Sequence, residues 1–250
     1  MNGTWGNFRA GSFTARINSM ELLLSNLKRN PAATARFAEE MRTIGLPADL
    51  IAPDFFGDAP DGTVFVFSGS FDARPGTIRY RHQKEGWKIS LTPLGADLLD
   101  MTGINAREWA RDPNCPRGIT QHLDQFIRVA DHIAGSYEVV VGVDQERVPG
   151  MAHELIARTP IGSRFIMVLD DVRIRGHDNV VRQFDFMDRY NRVMRALVDE
   201  YPYAASVSFG DVIENEDQIQ VGGNHYDRMV YLRLAEQIVE VICSLPAREC

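Results

Sequence analysis

Hydrophobic and polar positions follow two periods along this chain, one for the first sixty residues and another beyond them. Met20, Leu23, Leu24 and Leu27 recur at helical spacing until Asn30-Pro31 breaks the run. A second helix is predicted over 32–44, closed by Gly45, and the Pro, Asp and Gly of 51–62 read as a loop. Residues 1–62 therefore read as an N-terminal helical extension. From Thr63 onward, short apolar runs rich in β-branched and aromatic residues predict strands over 63–67, 137–143, 164–169 and 204–209. Between them lie amphipathic helical faces. Ile119, Leu123, Phe126, Ile127, Ala130 and Ile133 make one, Met187, Tyr190, Met194, Leu197 and Val198 a second, and Tyr231, Leu234, Ile238, Val241 and Ile242 a third. Nearly continuous apolar strands alternating with such helices imply a mostly parallel sheet covered on both faces. The expected fold class is α/β, a three-layer α/β/α sandwich over 63–250. Residues 80–116, with Trp87, Trp109 and scattered Gly, Pro and charge, keep no clean period. They read as an excursion inserted at about 76–118, a length of loop that often carries substrate contacts.

Composition narrows the function classes. With 250 residues, 44% hydrophobic and 24% charged, the chain has room for a large α/β core. A formal net charge of −7 argues against a general nucleic-acid binder. No run approaches the roughly 18 apolar residues of a membrane span. The opening Met-Asn-Gly-Thr-Trp-Gly-Asn lacks a signal-peptide pattern, and Cys115, Cys243 and Cys250 have neither paired nor metal-like spacing. A reducing cytoplasm is the expected compartment.

Two loops carry the candidate chemistry. The strand over 63–67 stops at Ser68-Gly69-Ser70, which puts a serine hydroxyl at the carboxyl edge of a sheet, where open α/β folds hold their sites. Gly222-Gly223-Asn224-His225 precedes the last helical stretch and offers an imidazole from a loop. Ser70 and His225 thus form a candidate nucleophile and base. The plainer alternatives are a polar loop and a surface histidine at a helix start. Gly11-Ser12-Phe13 echoes Gly69-Ser70-Phe71, but no convincing strand precedes Ser12, so Ser70 ranks first. His82, His122, His132, His153 and His177 show no ligand spacing, so no metal is expected. After the strand over 137–143, Gly142, Asp144 and Gln145 are candidates for oxyanion or substrate contacts, with Asp144 and Arg147 able to brace the loop as a pair. Gly69, Asp72 and Asn224 join them. Asp170-Asp171 has Arg173 and Arg175 close enough in sequence to neutralise both carboxylates.

The order of these pieces resembles the SGNH (GDSL-like) hydrolase superfamily. Gly69-Ser70-Phe71 is similar to the Gly-Ser-Cys form of its nucleophile block, Gly142-Val143-Asp144 approximates its middle block, Tyr190-Asn191 lies in a long helix, and His225-Tyr226 opens the terminal one. The resemblance spans about residues 63–245. It implies a flavodoxin-like sheet and a Ser–His pair acting on a small or carbohydrate-linked acyl group, with no cofactor and no nucleic-acid partner. The family's Asp three residues before the histidine would be Gly222 here, leaving Asp217 or Asp227 as substitutes. Gly69-Ser70-Phe71-Asp72 also resembles the opening of nucleotidyltransferases of the phosphopantetheine adenylyltransferase type, although their His-x-Gly-His does not follow it. A non-catalytic α/β binding module is the third alternative.

Overall fold

The computed structural model describes residues 7–10, 13–16, 19–48, 55–57, 59–74, 77–93, 107–108, 110–113, 115, 120–221 and 225–249. The chain is mixed α/β and divides into two compact units, Met1–Phe55 with Gly76–Gly142, and Phe56–Pro75 with Val143–Cys250. The boundaries thus fall after residues 55, 75 and 142 rather than after 62. Among the described residues, no helix is long and apolar enough to cross a membrane.

In the first unit, β1 (Asn7–Ala10) and β2 (Phe13–Arg16) form an antiparallel hairpin that β6 (Leu91–Pro93) extends. Helix α1 (Met20–Leu27) starts at Ser19, whose hydroxyl accepts from Leu22 N, and α2 (Pro31–Thr43) at Asn30, whose side chain accepts from Ala33 N at 2.8 Å. Pro31 fits the first turn because its missing N–H would have no intrahelical partner. A second antiparallel sheet runs β5 (Lys88–Ile89), β4 (Ile78–His82), β7 (Tyr137–Val141). Phe37 and Met41 of α2 pack with Tyr80, Trp87, Ile89 and with Phe126, Val129 and Ile133 of α4 (Leu123–Ser136). Each such large side chain contributes roughly 1.5–3 kcal/mol by leaving water.

Three expectations are corrected here. Residues 1–62 are not purely helical, since β1 and β2 lie among them. A strand does precede Ser12, which itself lies outside the described residues. Tyr137–Val141 is a strand as expected but pairs antiparallel with β4, outside the parallel sheet. Its burial falls from Tyr137 at 3% exposed to Val141 at 65%, as suits a strand that is only partly covered. A short apolar run does not reveal the direction of its partner.

The second unit holds the parallel sheet, in the order β11 (Ala204–Ser208), β8 (Arg164–Leu169), β3 (Val64–Phe67). Phe67 lies opposite Met167, and Ser208 opposite Leu169, so all three strands end at one edge. Residues of both parities in the central strand β8 are buried from Phe165 through Leu169. Short α3 (Ser70–Ala73) follows β3, and α5 (Val148–Ala157) precedes β8. The hairpin β9 (Arg173–Arg175) and β10 (Val181–Gln183) follows β8 and leads into α6 (Asp185–Val198), which packs on β8, β11, α3 and α5. Then α7 (Phe209–Val212) follows β11, and α8 (Arg228–Ser244) packs against it through Val230 and Leu234, beside Ile166, Val168 and Val207.

Candidate functional site

The carboxyl edge of the parallel sheet gathers three chain segments because its strands run the same way and end in step. Ser68-Gly69-Ser70 leaves β3, Asp170-Asp171 leaves β8, and Ser208-Phe209 leaves β11. Ser70 opens α3, and its side chain lies outside the described part. Gly69, just before it, is buried, and a Cβ there would collide with the hydroxyl of Tyr190 from α6. The position accepts glycine because of that close approach, since its φ of −95° is open to any residue.

Tyr190 is 4% exposed, and among the described residues its hydroxyl has no hydrogen-bond partner. Burial pushes the phenol well above its ordinary pKa, and the nearby Asp72 and Asp170 carboxyls push it the same way. Asp72 is itself fully buried, so it is withdrawn from solvent beneath the turn. Gln145 clamps this turn from a different segment: its Nε2 donates to Asp72 O at 2.9 Å and to Val143 O at 3.1 Å. Both amide hydrogens are therefore spent on carbonyls, and the side chain has no N–H left for an oxyanion. Asp144 Oδ1 accepts from Glu146 N at 3.0 Å and caps the 3₁₀ turn Gln145–Arg147 rather than pairing with Arg147. Gly142 belongs to the first unit, at φ +71°, and its N–H donates to Thr77 O at 2.7 Å.

The histidine segment is tied to the same edge by its neighbour. His225 is exposed, and its carbonyl accepts from Gln220 N at 2.8 Å. Tyr226 is 3% exposed, stacks on Phe209 with centroids 4.4 Å apart, and accepts a hydrogen bond from Asp171 N at 3.2 Å. The ring of Tyr226 therefore bridges the ends of β8 and β11. Burial raises its phenol pKa, reinforced by Asp170. Among the described residues, no hydrogen bond joins the His225 ring to Asp217 or Asp227. Asp227 caps α8 by accepting from Met229 N at 2.7 Å, and Asp217, fully exposed, stands 3.8 Å from Arg175. Asn224 and Gly222 lie outside the described residues.

Of the two arginines expected to neutralise Asp170-Asp171, one does so. Arg173 grips Asp171 through Nε and Nη2, the shortest contact being 2.7 Å, which raises the guanidinium pKa. Arg175 turns instead to the carbonyls of Ile219 and Glu216. Beside this pair, a cleft of about 400 Å³ opens along the ends of β8 and β11. Asn191 of α6 lines it and is 7% exposed; its Nδ2 donates to Asp170 O at 2.8 Å, and among the described residues its Oδ1 has no hydrogen-bond partner. Helical spacing marks Tyr190 as part of a buried face, whereas Asn191 enters the sequence analysis only through a family resemblance. The independent signal was a polar residue four positions after Met187, on the apolar face of an amphipathic helix.

Among the described residues, no group of His, Cys, Asp and Glu side chains is arranged to hold a metal ion. No family model, curated protein or solved structure matches this chain.

Proposed function

We propose that this protein is a serine esterase or acyltransferase of the SGNH type, acting in the cytoplasm on a small or carbohydrate-linked acyl group. The observation that carries the reading is the hydrogen bond from Asp171 N to Tyr226. It ties the residue after His225 to the strand edge from which the Ser70 turn departs. In this reading the second unit is a flavodoxin-like, three-layer sandwich, which the burial of both faces of β8 supports.

Ser70 Oγ attacks the acyl carbon while His225 takes its proton, and backbone N–H groups of the turn opening α3 stabilise the oxyanion. His225 then returns the proton to the leaving alcohol. Water or an acceptor hydroxyl, deprotonated by the same imidazole, releases the acyl group and regenerates Ser70. His225 works as a dyad member, with its backbone rather than a carboxylate partner fixing its place. No cofactor takes part, and the partner is a small molecule or carbohydrate rather than a nucleic acid.

Hydrolysis of p-nitrophenyl acetate tests the assignment. Ser70→Ala and His225→Ala should each lower kcat/KM by about 100-fold or more, the usual scale of a lost base or nucleophile, with unfolding midpoints unchanged. Full activity in folded Ser70→Ala would sink it.

A further inference from the structure

The cleft at the ends of β8 and β11 adjoins the serine turn. Strand β3, which ends in that turn, pairs with β8, and neighbouring strands stand about 4.8 Å apart. Gly69 lies against the Tyr190 hydroxyl, and the next residue of α6, Asn191, lines the cleft. The arginines of the lining are spent on its carboxylates. Arg173 pairs with Asp171 at 2.7 Å, Arg192 with Asp188 at 3.0 Å and Arg195 with Asp211 at 3.0 Å. An anion entering here competes with a carboxylate at each of these arginines, and a cation with a guanidinium at each of these carboxylates. The pairs therefore favour neither sign of ligand charge.

Two buried side chains of the lining offer uncharged hydrogen-bonding atoms instead. Asn191 cannot turn its amide over, because Oδ1 would then face the Asp170 carbonyl that Nδ2 now satisfies. Its Oδ1 is thus a fixed acceptor with no hydrogen-bond partner among the described residues, and a buried acceptor left so is costly. Ser208, 2% exposed, accepts from Gly210 N at 3.1 Å, and its O–H proton has no acceptor among the described residues. A hydroxyl group both gives and takes a hydrogen bond, so a neutral molecule with several hydroxyls answers both atoms. The volume, about 400 Å³, falls in the usual range for small-molecule sites.

We infer that this cleft seats a neutral polyol as the acyl acceptor, with Asn191 Oδ1 accepting from one of its hydroxyls, so that the protein is a transferase rather than a hydrolase. The inference rests on the Ser70–His225 reading. In the second half of that reaction a polyol oxygen attacks the acyl carbon of the Ser70 ester and gives its proton to His225. The bond from the acyl carbon to Ser70 Oγ breaks, Oγ takes the proton back from His225, and the new ester leaves.

The test gives the full chain p-nitrophenyl acetate together with myo-inositol, cyclohexanol or inositol monophosphate, and measures new ester against free acetate by mass spectrometry. Inositol should capture the acetyl group saturably and, per hydroxyl, about tenfold better than cyclohexanol, a difference of about 1.4 kcal/mol. Inositol monophosphate should do no better than inositol. Asn191→Leu should lower the ester-to-acetate ratio with inositol about tenfold, whereas a merely structural defect lowers both products together and leaves the ratio unchanged. The comparison of acceptors in wild type remains decisive if Asn191→Leu does not fold. Nitrophenol release that persists in folded Ser70→Ala would overturn the esterase reading and this inference with it. Release that depends on Ser70 but shows no preference for inositol over cyclohexanol, a preference for the phosphate, or an unchanged ratio in folded Asn191→Leu would overturn the acceptor inference alone.

Discussion

The contact between Gly69 and Tyr190 gives a double-mutant test of how the serine turn is built. Gly69→Ala places a methyl group on the Tyr190 hydroxyl, in a region where Gly69, Phe71, Asp72 and Tyr190 are all buried. Neither side can yield freely, so the cost should reach the overpacking range of about 1–3 kcal/mol. Tyr190→Phe removes a hydroxyl that has no hydrogen-bond partner among the described residues, so a desolvated polar group disappears without loss of a described bond. That variant should match or slightly exceed wild-type stability. In the double variant, the nearest atoms to the new methyl are Phe67 Cε1 at 3.2 Å and the former hydroxyl-bearing ring carbon at 3.5 Å. These contacts are tight but tolerable, so most of the penalty should vanish, giving a coupling of about 1–2 kcal/mol between the two positions. Urea unfolding followed by circular dichroism measures each corner of the cycle. A Gly69→Ala penalty that persists in full in the Tyr190→Phe background would refute the steric reasoning.

Further outcomes follow from the same geometry. Gln145→Ala removes two bonds to carbonyls and frees the α3 turn; it should cost about 1 kcal/mol and lower esterase kcat more than it raises KM, read from Michaelis–Menten kinetics. Asp227→Ala should lose about 1 kcal/mol as a helix cap while retaining esterase activity. A loss of activity as deep as that of His225→Ala, with stability intact, would make Asp227 the missing acid. Tyr190 and Tyr226 both have phenol pKa values raised above the ordinary 10.0 by burial. Above pH 10 the unfolded chain releases those protons while the folded one holds them, so stability is whole below pH 10 and falls as pH rises. The limiting slope is about 1.4 kcal/mol per pH unit for each tyrosine. Denaturation midpoints across alkaline pH, with Tyr190→Phe showing the shallower decline, check the sign.

The sequence was most legible where one physical signal dominated. The central strand at 164–169 is legible to its ends because five consecutive apolar residues, short for a helix, stand between two turns. The helix over 185–198 announced its buried face through Met187, Tyr190, Met194 and Leu197. Residues 78–93 hid their strands because Arg79, at an alternating position in Ile78–His82, looks solvent-facing yet is fully buried, 3.1 Å from Glu21. No local pattern reveals a charge neutralised by a residue 58 positions away (79 − 21). The site divides the same way. That Ser70 and Asp171 share an edge follows from strand ends, whereas the Tyr226 bridge and the open acceptor of Asn191 are tertiary facts. The Tyr137–Val141 run shows the converse: its composition gave the strand, but composition holds no record of which way the neighbour runs.

Intact-mass analysis after reaction with a fluorophosphonate probe tests the central claim most directly, because it asks whether a serine is activated without needing the natural substrate. Wild type, Ser70→Ala, Ser12→Ala and His225→Ala would be compared in the folded state. A single adduct that survives in Ser12→Ala and disappears in Ser70→Ala and His225→Ala is the predicted result. An unlabelled wild type, or an adduct that persists in Ser70→Ala, would contradict a Ser70–His225 dyad.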